Sequence, residues 1–146
     1  MSEQKKVQRP EVPQDINAFN QKVISEFRAN QGRLSGQLAG RPLMLLTTRG
    51  VKSGTPRTVV LGFRPHGKEY VVIASANGAP SHPAWYVNLL SDPAATVEVG
   101  PEKFQARART ADPAERTELA ALIEYLEPQQ ALTKREIPIV VLQRVP

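Results

Sequence analysis

Three uninterrupted apolar runs, residues 43–48, 58–63 and 70–74, crowd the middle of the chain, and none is long enough for a buried helix. Runs of that length bounded by Gly, Pro and Ser are strands. Pro65-His66-Gly67 supplies a turn between the second and third, making them a hairpin. Residues 95–99 and 104–109 alternate about Gly100-Pro101 as a second hairpin, and residues 139–142 form a closing strand. Three helical segments flank these strands. Asp15 is placed to cap a helix with Ile16, Phe19, Val23, Ile24 and Phe27 on one face, fading by Asn30 to Gly32. Residues 83–90 form a short helix with Pro83 at its first position, where a missing N–H costs nothing. Residues 113–126 are amphipathic, capped by Asp112 with Glu115 as the capping-box partner and Leu119, Leu122, Ile123 and Leu126 as the apolar stripe. The expected fold is therefore mainly β with flanking helices (α+β), a six-stranded antiparallel barrel with the helices packed outside.

With 146 residues, the chain supports one core: a single domain over residues 15–146, preceded by a polar, proline-containing arm over residues 1–14 that reads as flexible. Net charge is +5; Lys5, Lys6 and Arg9 against Glu3 and Glu11 account for +1 in the arm, leaving +4 on the rest. Such a balance, with only eight aromatic residues, favours an anionic small molecule over nucleic acid. Cysteine is absent, which excludes disulfides and thiolate chemistry. No stretch reads as a signal or membrane-spanning segment, so a cytoplasmic protein is the expectation. His66 and His82 are too few and too isolated to argue a metal site.

Two loops carry the chemistry. Between Phe27 and Tyr86 stand eight basic residues and one carboxylate, Glu69, and within that block lies Thr47-Thr-Arg-Gly-Val-Lys-Ser-Gly-Thr-Pro-Arg57. Gly50 and Gly54 let the backbone turn and approach a ligand, Lys52 and Arg57 supply charge, and Ser53 and Thr55 supply hydroxyls. A solvated turn explains such a loop equally well on its own. The second segment, residues 74–88, runs from a strand end into the short helix, carries no formal charge, and sets Trp85 beside Tyr86. That is a surface on which a flat ring could lie, although core packing is the commoner use of a lone tryptophan.

The string Leu45-Leu-Thr-Thr-Arg-Gly-Val-Lys-Ser-Gly-Thr-Pro-Arg57, followed by Ala74-Ser75, Gly78 and His82-Pro-Ala-Trp-Tyr-Val-Asn-Leu89, closely resembles the deazaflavin-dependent nitroreductase family of actinobacteria. Ile137-Pro-Ile-Val-Val141 matches as well, so the resemblance runs from about Phe19 to Val141. It implies a split β-barrel related to those that bind flavin mononucleotide (FMN). The implied cofactor is coenzyme F420, an 8-hydroxy-5-deazaflavin with a phosphate and a polyglutamate tail, in preference to FMN. By the same resemblance, Lys52, Ser53 and Arg57 meet the phosphate and first tail carboxylates; Val51 stands where some members have a second basic residue. Thr58, Val59 and Val60 would pass under the ring, and the backbone of Ile73, Ala74, Ser75 and Ala76 would meet its polar edge. Ala84, Trp85, Tyr86, Val87 and Asn88 would wall it, and Tyr125 is the tyrosine nearest the substrate end. The implied activity is hydride transfer from reduced F420 to a planar, electron-poor acceptor such as a quinone, an enone or lactone, or a nitroaromatic. Ser75 is the candidate protic group.

Two other readings stay open at this level: a non-catalytic carrier of a flavin-like or tetrapyrrole ligand, and a basic domain touching anionic lipid or nucleic acid through Arg28, Arg33 and Arg41. Peripheral contact with the inner face of a membrane and the oligomeric state are likewise left open.

Overall fold

The computed structural model describes residues 16–146; the arm and the Asp15 cap lie outside the described residues. In chain order the elements are α1 (Ile16–Ala29), β1 (Leu43–Arg49), β2 (Pro56–Gly62), β3 (Arg64–His66), β4 (Glu69–Ile73), α2 (Ala84–Ser91), β5 (Ala94–Val99), β6 (Glu102–Thr110), α3 (Pro113–Ala120), α4 (Leu126–Gln130) and β7 (Ile139–Arg144). Short 3₁₀ turns lie at Gly36–Leu38 and Ala76–Gly78.

All seven strands form one antiparallel sheet in the order β2-β1-β5-β6-β7-β4-β3. The outermost strands, β2 and β3, are joined by one residue, Phe63. A sheet whose two edges are one residue apart in the chain must curl until those edges meet at that corner. Among the described residues no ladder closes the remaining length of the two edges, so the result is a barrel split along one side.

The curl separates two kinds of burial along each central strand. On β1, Met44 and Leu46 point into the main core with Phe63, Val72, Trp85, Val97, Phe104, Val140 and Leu142, whereas Leu45 packs outward under Ile24 and Phe27 of α1. On β7, Val140 and Leu142 face inward; Ile139 and Val141 join Val71, Ile73, Leu119, Ile123 and Leu126 in a second cluster beneath α3 and α4. Covering both faces is what lets these strands be continuously apolar instead of alternating.

Several expectations change. Among the described residues there are seven strands, not six: Arg64, Pro65 and His66 are the added strand, paired with Val71, Tyr70 and Glu69, so the turn contracts to Gly67-Lys68. Pro56 and Arg57 belong to β2, where they pair with Arg49 and Thr48, and not to the preceding loop. The helix begun by the Asp112–Glu115 capping box stops at Ala120, and Ile123 reaches the core from a turn. Leu122 and Phe19 are exposed, outside the apolar faces expected of them. Pro83 is the N-cap of α2, one position before the helix proper. Among the described residues, no helix is long and apolar enough to cross a membrane.

Candidate active site

Beside the split, two hollows run along β2 and share one wall, Trp85. The first, about 430 Å³, lies between α1, β2 and α2, lined by Asn20, Gln21, Ile24, Arg28, Pro56, Arg57, Thr58, Val59, Ala84, Trp85 and Asn88. The second, about 270 Å³, lies where the edges converge, lined by Val60, Leu61, Gly62, Ile73, Ser75, Ala76, Asn77, Trp85, Tyr125 and Gln129. Val59 lines the first and Val60 the second, so the hollows are neighbours along β2 with Trp85 common to both; together they make up the groove. That residue belongs to the main core and is only 6% exposed, so it is at once core packing and groove wall.

At one end of the groove the charge is basic. Arg57 has no ion pair among the described residues. Arg28, although it lines the same hollow, is held by Glu98 through a forked pair of hydrogen bonds at 3.1 and 2.8 Å. Its charge is therefore already compensated, which removes it from the free basic face considered for lipid or nucleic acid.

The loop between β1 and β2 stands just outside. Gly50 donates to the Thr55 carbonyl and Gly54 to the Gly50 carbonyl, both at 2.9 Å, and Gly54 takes a φ of 70° that favours glycine. Val51, Lys52 and Ser53 are exposed and line neither hollow. The Ser53 hydroxyl is engaged by Thr55, at 2.7 Å from its hydroxyl and 3.2 Å from its N–H. Asn88 ties the loop down: its Oδ1 accepts from the Val51 N–H at 3.1 Å and its Nδ2 donates to Thr48 Oγ1 at 3.0 Å. A buried amide with both ends satisfied is a strut.

The other end is set by the strand-to-helix segment. Ser75 accepts from the Gly78 N–H at 3.0 Å and donates to Gln129 Oε1, so its hydroxyl already has a partner on each side. Ala76, Asn77 and Gly78 all take positive φ, 51°, 56° and 75°. Three consecutive left-handed residues, two of them with side chains, store strain that the surroundings must hold. Tyr125 closes this end. Its hydroxyl is buried without a hydrogen-bond partner among the described residues, and Arg64 lies 4.9 Å over its ring while also pairing with Glu124. Burial pushes the Tyr125 phenol above its ordinary value, with Arg64 opposing.

Of the residues singled out from sequence, Arg57, Thr58, Val59, Val60, Ile73, Ser75, Ala76, Ala84, Trp85, Asn88 and Tyr125 line the groove. Ala74 is fully buried and Val87 is exposed. Tyr86 turns into the core, sharing a 2.8 Å hydrogen bond with Thr110 Oγ1. Asn20, Gln21 and Gln129 were not legible as lining, because only the packing of α1 and α4 beside β2 brings them there; Leu61, Gly62 and Asn77 are further lining residues on β2 and in the 76–78 turn.

A family model described as F420H(2)-dependent quinone reductase matches residues 20–144. The chain belongs to that family. It is similar to an F420H(2)-dependent quinone reductase of Mycobacterium tuberculosis strain H37Rv, 34% identical over 127 residues that cover 81% of this chain and 85% of the relative. Among solved structures, an F420-H2 dependent reductase (FDR-A) superposes with a TM-score of 0.64 and 32% identity, covering 70% of this chain and 95% of that one. A heme-binding protein of Mycobacterium smegmatis, at 16% identity and a TM-score of 0.54 over 71% of this chain and 46% of that one, shares the fold alone. Members of the F420H(2)-dependent quinone reductase family are oxidoreductases whose cofactor is coenzyme F420, so this chain is an F420H2-dependent reductase.

Proposed function

We propose that the groove along β2 holds coenzyme F420 with its ring against Trp85 and its anionic tail toward Arg57 and Lys52, and that a quinone is the acceptor, entering at the Tyr125 end. The observation that carries this reading is the polarity of the groove. Among the described residues, an arginine without a carboxylate lies at one end, the apolar Val59, Val60 and Trp85 lie between, and a buried hydroxyl without a partner lies at the other. A long planar molecule with a charged tail fits that sequence of environments. Unsatisfied buried hydroxyls are rare in folded proteins, and a carbonyl oxygen is the natural partner for this one.

Reduced F420, when bound, supplies a hydride and does little one-electron chemistry. The rest falls to the side chains. Trp85 and the β2 backbone fix the plane of the ring, while Arg57 and Lys52 anchor the charged end. Val59, Val60 and Ile73 exclude water from the reacting face. Tyr125 Oη can donate to a carbonyl oxygen as negative charge develops there, and its raised pKa keeps it protonated and able to donate. Ser75 is the second candidate donor; to act it must release Gln129.

The test is anaerobic oxidation of reduced F420, followed by absorbance, across a panel of quinones, enones and nitroaromatics. Quinones should be consumed fastest, one equivalent per equivalent of F420H2. Tight F420 binding with no quinone turnover would overturn the acceptor assignment.

A further inference from the structure

Arg135 lies outside both hollows, yet its guanidinium is committed entirely to the segment that shapes one of them. Its Nη1 donates to the Ala74 carbonyl at 3.1 Å, its Nη2 to the Ser75 carbonyl at 2.6 Å and its Nε to the Ala79 carbonyl at 2.9 Å. Nη1 also lies 3.0 Å from His82 Nδ1. Guanidinium groups only donate, so His82 accepts at Nδ1 and carries its proton on Nε2. No carboxylate pairs with Arg135 among the described residues. An arginine held by backbone carbonyls and a ring nitrogen in place of an acid is an unusual use of a charge, because burial opposes it.

What this cation holds is the strained part of the groove. Its four acceptors straddle Ala76, Asn77 and Gly78, the three left-handed residues, and Ala76 and Asn77 line the Tyr125 hollow. Among the described residues the N–H groups of Ser75 and Ala76 meet no acceptor, and the carbonyls of the peptides that carry these N–H groups, those of Ala74 and Ser75, are the ones Arg135 binds. Drawing a carbonyl toward a cation polarises its peptide and strengthens the N–H on the other side as a donor. Arg135 is itself fixed: Gln130 Nε2 donates to its carbonyl at 2.7 Å, and Gln130 Oε1 accepts from the Ile137 N–H at 2.9 Å.

We propose that Arg135 is a positioning residue of the active site: it clamps residues 74–82 in their strained form, so that the N–H groups of Ser75 and Ala76 serve the polar edge of a bound ring. The inference rests on the groove being the F420 site. Cofactor affinity is measured by equilibrium dialysis for Arg135→Ala, Arg135→Lys and Arg57→Ala, with and without low-millimolar guanidinium chloride, alongside melting curves of the cofactor-free proteins. Arg135→Ala should bind F420 roughly ten- to a hundredfold more weakly, as expected when several charge-assisted hydrogen bonds holding a site are lost. Added guanidinium should restore part of that affinity. Lysine cannot reach three carbonyls at once, so Arg135→Lys should also bind weakly.

Parent affinity in Arg135→Ala, or a loss that guanidinium leaves untouched and that merely follows a lower melting temperature, would overturn the clamp. Should Arg135→Ala not fold, Arg135→Lys decides: weak binding supports the clamp and parent affinity ends it. Arg57→Ala separates the two levels. If it binds weakly while Arg135→Ala binds normally, only the clamp fails; if both bind normally, the groove is not the site.

Discussion

Tyr125 carries a conflict between stability and chemistry. A buried hydroxyl without a partner costs about 1 to 3 kcal/mol, so Tyr125→Phe should melt at the same temperature as the parent or higher. If the hydroxyl donates to the developing oxyanion, the same change should lower kcat by about a hundredfold while F420 binding holds. The pH dependence has a definite sign. With its folded pKa raised, the phenol keeps its proton past the ordinary tyrosine value of about 10, so this donor is not lost as pH rises to that point. A stable Tyr125→Phe enzyme with parent turnover would remove the hydroxyl from the reaction. The two basic residues near the other end should differ. Arg57→Ala should weaken F420 binding by roughly ten- to a hundredfold, and exposed Lys52→Ala by less than about tenfold. Equal losses would mean that Lys52 folds over the ligand when it binds.

Single elements show how far local pattern reaches. Gly78 is the clearest case: a Cβ there would lie 2.5 Å from the Leu132 Cβ, and its φ is 75°. Gly78→Ala should therefore cost about 2 kcal/mol or more and loosen the segment that Ser75 caps, seen as a lower melting temperature together with weaker F420 binding. Nothing in the sequence marked this glycine as a packing contact, because Leu132 lies far along the chain. The strands built on residues 43–48 and 70–74 were legible because both of their faces are buried, and an unbroken apolar run of that length has few other uses. β3 was not legible, since Pro65 and His66 carry turn chemistry and only pairing with β4 makes them a strand. The stripe Leu119, Leu122, Ile123 and Leu126 suggested one long helix. Instead the chain turns after Ala120, where Glu124 and Tyr125 meet Arg64, and Leu126 starts a new helix. At the candidate site, the tryptophan segment was readable as an ordered motif and the glycine loop, also readable, stands just outside both hollows, whereas Gln129 and Arg135 enter only through tertiary packing.

At the scale of the molecule, the curl of the sheet depends on one joint. Phe63 links the two edge strands, is 8% exposed, and meets Tyr70 edge-on with ring centroids 5.7 Å apart. Phe63→Ala should cost about 3 to 5 kcal/mol, and because β2 forms the groove floor it should also weaken F420 binding in whatever fraction stays folded. Unchanged affinity in the folded fraction would show that the groove does not depend on where the edges meet. Asn88 has a different reach. It grips the β1–β2 loop from within the helix that carries Trp85, so the loop's place relative to Trp85 is written in a residue far from the loop. Anyone transplanting a relative's loop over residues 50–55 to change tail preference would carry over its charges and leave behind what seats them. Such a chimaera should bind poorly until position 88 and its hydroxyl partner at 48 are made to suit the donor, and the two halves of the site would have to be exchanged as one unit.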